Sequence, residues 1–122
     1  MGCLLGAGTA WAGPADVVGV HVEPQGAAAY RFAVTVRHDD ENWIHYADRW
    51  EVRTLAGKLL AVRVLLHPHL REQPFTRDLA GVVVPPNTAA VIVRAHDTIH
   101  DYDGRSMRVE LPAPADTRSR GK

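Results

Sequence analysis

Between Asp16 and Leu111 the dominant hydropathy period is two, and no stretch there sustains a period of 3.6. Successive side chains on an extended strand point to opposite faces. Such alternation builds half-buried strands and gives an amphipathic helix no face to bury. Tyr30, Phe32, Val34 and Val36 alternate with Arg31, Ala33, Thr35 and Arg37. Val18, Val20 and Val22 alternate with Gly19 and His21, and Trp50 and Val52 with Arg49, Glu51 and Arg53. Leu60, Val62 and Val64 alternate with Ala61 and Arg63, and a fifth run through Val82 and Val84, or through Val83 with Gly81, ends at Pro85-Pro86. Val91, Val93 and Ala95 face away from Arg94 and His96, and Met107, Val109 and Leu111 away from Arg108 and Glu110. Turn-forming residues punctuate the runs: Pro24-Gln25-Gly26, Ala56-Gly57, Pro85-Pro86-Asn87 and Asp103-Gly104. Seven short strands joined in this way predict an all-β fold, a seven-stranded antiparallel sandwich.

At 122 residues the chain is sized for a single domain. Residues 13–112 form the expected sandwich domain. Residues 1–12 read as a signal segment: Gly2 to Ala12 is apolar and uncharged, and Ala10-Trp11-Ala12 gives a small-x-small cleavage pattern before Gly13-Pro14. The pattern departs from the usual one in lacking a basic start, since no Lys or Arg precedes Arg31. Residues 113–122 hold Pro, Ala, Ser, Thr, Arg and Gly with nothing to bury, and read as a disordered tail. A periplasmic or secreted location follows from the signal reading. Fourteen basic residues balance fourteen acidic ones, which argues against a nucleic-acid partner. No apolar run reaches the roughly 18 residues of a membrane span. Cys3 is the only cysteine and would leave with the signal, so thiolate ligands and disulfides are excluded from the mature chain.

Trp50 falls on the third strand, where immunoglobulin-like sandwiches bury a Trp, and the inter-sheet disulfide of antibody domains is missing. With seven strands, the pattern resembles a fibronectin type III/immunoglobulin-like fold, closer to the fibronectin type. The stretch Leu65 to Arg77 contains Leu66-His67-Pro68-His69, and Asp48-Arg49-Trp50-Glu51 and Arg94-Ala95-His96-Asp97 accompany it. Together these segments resemble uncharacterised small secreted β-sandwich proteins of proteobacteria in which similar segments recur. That resemblance implies export and a sandwich and carries no activity.

In a fibronectin-like order the connections after strands two, four and six meet at one end. These are His38 to Asp48, His67 to Asp78, and His96 to Gly104. They hold six of the seven histidines and nine acidic residues against Arg71 and Arg77, a net formal charge of minus seven with neutral imidazoles. Imidazoles with carboxylates suit a divalent transition metal such as Zn or Cu. His67 and His69, two apart in extended chain, project to one side, and Pro68 stiffens the pair. His96, with His45 or His100, would complete the ligand set. The bland reading stands beside each: a His-x-His pair arises by chance in soluble loops, His96 ends a strand as a hydrogen-bonder, and His45 packs among Trp43 and Tyr46. His38 adjoins Asp39-Asp40-Glu41, which reads equally as a solvated loop. Arg71 or Arg77 is expected to clamp Asp48, Glu72 or Asp97, with Phe75 as the apolar anchor of its loop.

No nucleophile elbow, P-loop or dinucleotide fingerprint is present, and Ser106 and Ser119 are the only serines. The expectation is therefore a binding protein and no enzyme. Its first form is an exported metal-binding protein using His67, His69, His96, His45 and His100. The alternative is a metal-free interaction or adhesion module that meets another exported protein through the same loops, with Trp43, Tyr46 and Tyr102 as anchors. An accessory subunit of an exported enzyme is a third form.

Overall fold

A computed structural model describes residues 13–26, 28–38, 45–66, 69 and 72–113. The expected signal segment, nearly all of the expected tail, Trp43, His67 and Arg71 lie outside the described residues. Seven strands follow in order: β1 (Asp16–Pro24), β2 (Ala29–Arg37), β3 (Ala47–Thr54), β4 (Leu59–Val64), β5 (Phe75–Val83), β6 (Ala90–Asp97) and β7 (Met107–Glu110). No helix occurs among the described residues. The strands form two antiparallel sheets, β1-β2-β5 and β4-β3-β6-β7.

The alternation read from the sequence sets which face each strand buries. Phe32, Val34 and Val36 of β2 meet Trp50 and Val52 of β3 and Val91 and Val93 of β6 in one core, all fully buried. Removing either Phe32 or Trp50 to Ala would cost about 3–5 kcal/mol. Two expectations shift. In β1 the register slips between Val17 and Gly19, so Val18 bulges outward and is 41% exposed while Val17 is buried. An extra residue in one strand reverses the parity of everything before it. And β5 begins at Phe75, before the expected end of its loop at Asp78, because Phe75 is an inward core residue.

The turns obey local chemistry. Thr54 closes the β3–β4 hairpin, its carbonyl accepting from Gly57 N at 2.9 Å and its hydroxyl from Lys58 N at 2.9 Å, with Gly57 at φ 100°. That φ is one an L side chain rarely adopts. Gly104 has a different constraint: a Cβ there would run into the Ala15 carbonyl oxygen. The β6–β7 connection is thereby pressed against the entry to β1, where Arg105 N donates to Asp16 Oδ1 at 2.7 Å and Val17 N to the Arg105 carbonyl at 2.8 Å.

Candidate metal centre

Three connections meet at the end of the sandwich where β2, β4 and β6 finish. Tyr46 N donates to Thr98 Oγ1 at 3.2 Å and Thr98 N to the Tyr46 carbonyl at 3.1 Å, tying the β2–β3 and β6–β7 connections together. Gln73 ties in the β4–β5 connection. Its Oε1 accepts from His38 N at 2.9 Å, and its Nε2 donates to the His69 carbonyl at 2.9 Å.

Asp97 lies at the centre of this end. On β6 it continues the inward row Val91, Val93, Ala95, and it is fully buried. His38 continues the inward row Tyr30, Phe32, Val34, Val36 of β2 and is 2% exposed. The same parity that drives valines into the core thus drives a carboxylate and an imidazole to its rim. His45 precedes β3 and turns in beside them.

One carboxylate oxygen faces three rings. Asp97 Oδ2 lies 2.7 Å from His38 Nε2, 3.1 Å from His45 Nε2 and 3.0 Å from His100 Nδ1. The other oxygen, Oδ1, accepts the backbone N–H of Ile99 at 2.8 Å and that of His100. Burial alone would raise the Asp97 carboxyl; the hydrogen bonds from the His100 and Ile99 backbone and from the His100 and His38 rings outweigh it and hold the group well below the ordinary carboxylate range. The His38 and His45 ring centroids are 4.9 Å apart and edge-on, and those of His45 and His100 are 5.0 Å apart. Ligating atoms of His38, His45 and Asp97 all lie within 4.8 Å of one another, and all three residues are buried. A tetrahedral ion with bonds of about 2.0–2.1 Å separates its donors by roughly 3.4 Å. Small adjustments of these rings would reach that spacing.

Two of the expected ligands, His96 and His69, have other neighbours, and His67 lies outside the described residues. His96 alternates with Asp97 and so lies on the outer face of the four-stranded sheet. Its Nδ1 is 2.5 Å from Asp48 Oδ1, its Nε2 3.2 Å from Asp101 Oδ1, and its ring abuts Tyr102 at 4.8 Å. His69 is at the same end as the cluster, but its ring stacks on Phe75 at 3.8 Å with the planes 10° apart. His45 and His100 are in the cluster. His38 and Asp97 belong to the arrangement although neither stood among the expected ligands. Their signal was present in strand parity, since both share the sequence register of core residues. Arg77 clamps Glu72, with Nη2 3.1 Å from Oε1.

A second polar network covers the outer face. Glu51 is 2% exposed; its Oε2 accepts from Arg53 and, at 2.6 Å, from Arg94 Nε, and its Oε1 from the Tyr102 hydroxyl at 2.9 Å. Burial would raise the Glu51 carboxyl, but these three donors hold it below its ordinary value. The Arg94 guanidinium lies 4.0 Å over the Tyr102 ring. The network carries one carboxylate held by two arginines and is structural in character.

No family model matches the chain. It is 45% identical over 101 residues to a protein of Halomicrobium mukohataei named "Putative lipoprotein". The aligned region is 83% of this chain and 49% of that protein, so the chain spans about half the length of the relative it matches.

Proposed function

We propose that this protein is an exported binding protein that holds a divalent transition-metal ion, Zn²⁺ or Cu²⁺, at the end of its sandwich through His38, His45 and Asp97. The observation that carries the reading is the convergence of two imidazole nitrogens, from the two ends of the β2–β3 connection, on one buried carboxylate oxygen of β6. Imidazole donors favour Zn²⁺ and Cu²⁺ over Mg²⁺ and Ca²⁺, which take oxygen. Export is supported by the apolar small-residue start of the chain and by the name of its relative. A fibronectin type III-like sandwich is supported by the strand order, in which the fourth strand pairs with the third instead of joining the fifth as in constant-type immunoglobulin domains.

The apolar lining of the cleft at the other end of the sandwich supports a binding role over catalysis there. A cleft of about 420 Å³ opens at the opposite end of the sandwich, between Tyr30, Val84, Pro85, Pro86 and Leu111. Tyr30 is its single ionisable lining residue, and its hydroxyl donates to the Pro112 carbonyl at 3.2 Å. Titration calorimetry with Zn²⁺ and Cu²⁺ tests the reading. Wild type should bind at micromolar protein. His38→Ala and His45→Ala should each lose about tenfold or more in affinity, since even changes behind a ligand cost 10–100-fold. A His67→Ala/His69→Ala pair should retain binding; loss of binding there alone would move the site to the β4–β5 connection.

A metal-free interaction module is the second reading. Leu66 is 75% exposed and Ile99 53% exposed on the rim of the same end, an apolar pair beside a polar centre. Absence of heat with either metal, together with an unchanged melting temperature, would favour that reading.

A further inference from the structure

His100 differs from the other members of the cluster in exposure. The side chains of His38 and Asp97 are fully buried and that of His45 is 10% exposed, whereas that of His100 is 31% exposed. His100 also sits on a short loop that Asp97 itself builds. Asp97 N donates to the Asp101 carbonyl at 3.0 Å and Asp101 N to the Asp97 carbonyl at 3.1 Å, closing the turn. Asp97 Oδ1 holds the Ile99 and His100 amides, while Oδ2 faces the rings. The two oxygens therefore have separate tasks. An ion that takes Oδ2 leaves Oδ1 free to keep the loop in place. His100 Nδ1 lies 3.0 Å from Oδ2, just outside the group that His38, His45 and Asp97 form, and a turn of its ring would bring it to the same ion.

We propose that His100 is the fourth ligand and the gate of this centre. It closes a set of three imidazoles and one carboxylate and controls exchange of the ion with solvent. The inference rests on the metal reading above and deepens it. Sites with four protein ligands retain their ion and admit no substrate, whereas three-ligand sites keep a position open to water. With His100 in place the centre holds a four-coordinate ion for storage, delivery or bracing. It is not an open Lewis acid. The ion exchanges with solvent as this part-exposed imidazole swings out.

Cobalt(II) is the probe, because its visible absorption is intense when tetrahedral and weak at higher coordination. Full-length protein loaded with Co²⁺ should show the intense spectrum and be insensitive to azide. In His100→Ala the spectrum should weaken and respond to azide, and release into a chelator should quicken by roughly tenfold or more. In His100→Cys, on a Cys3→Ser background, a thiolate-to-cobalt charge-transfer band should appear, which a merely structural residue would not produce. Circular dichroism of metal-free His100→Ala should match wild type. Failure of wild type to bind Co²⁺, with Zn²⁺ and Cu²⁺ also failing, overturns the metal reading and the gate with it. Binding that survives with unchanged release in His100→Ala and no new band in His100→Cys overturns the gate alone.

Discussion

Asp97 is the residue on which the polar structure of this end of the molecule converges. Its five hydrogen bonds combine two loop amides with three imidazoles from two connections. Asp97→Asn keeps the shape and removes the charge, and it turns an amide N–H or a poorer acceptor toward ring N–H donors. It should cost about 2–4 kcal/mol, measured by denaturant unfolding. The folded carboxyl titrates below its ordinary value. Its contribution to stability is therefore complete above the unfolded value near 4 and is lost as pH falls below that value. The wild type should lose stability between about pH 5 and pH 2 more steeply than Asp97→Asn; parallel pH profiles would contradict the assignment. His38 and Asp97 were readable from parity, for both fall in step with buried valines. What hid them is that polar residues on a core row look like the end of the row. Only the paired sheets show that two such ends abut.

At the level of strands and turns, alternation specified most of the architecture. The inward rows of β2 and β6 follow the sequence, Tyr30 to Val36 and Val91 to Ala95, whereas in β3 a register shift between Ala47 and Arg49 puts Ala47 and Trp50, three residues apart, both in the core. In β1 the bulge at Val18 is invisible to a period-two reading, since a single inserted residue leaves local alternation intact on either side. His96 and Asp97 are neighbours in sequence and opposite in space, so a count of histidines per connection merged two unlike sites. Two predictions belong here. Gly104→Ala should destabilise by about 2 kcal/mol or more, because the added methyl meets backbone at Ala15 that no side-chain rotation can relieve; equal denaturation midpoints would refute the close approach. Glu51→Ala should cost about 2–4 kcal/mol by leaving Arg94 and Tyr102 without their buried acceptor, whereas metal affinity should stay unchanged, since this network lies on the other side of the sheet. A joint loss of affinity would mean that the two networks are coupled.

For the whole molecule, the proposed ion would act as a clasp between the sheets. His38 directly follows β2 of the three-stranded sheet, while His45 precedes β3 and Asp97 ends β6 of the four-stranded sheet. A ligand that binds only the folded chain stabilises it by about 2.7 kcal/mol at a free concentration of 100 times Kd. For a domain of about 100 residues this corresponds to a rise in Tm of roughly 10 °C. A scan with excess Zn²⁺ should show that rise in wild type and lose it in His38→Ala. The most direct measurement is anomalous diffraction at the zinc edge from crystals grown with one equivalent of Zn²⁺. The account predicts a single peak about 2.0–2.1 Å from His38 Nε2 and His45 Nε2 and within bonding distance of an Asp97 oxygen. A peak at His67 or His69, or none in crystals that retain the His38–Asp97 contact, would contradict it.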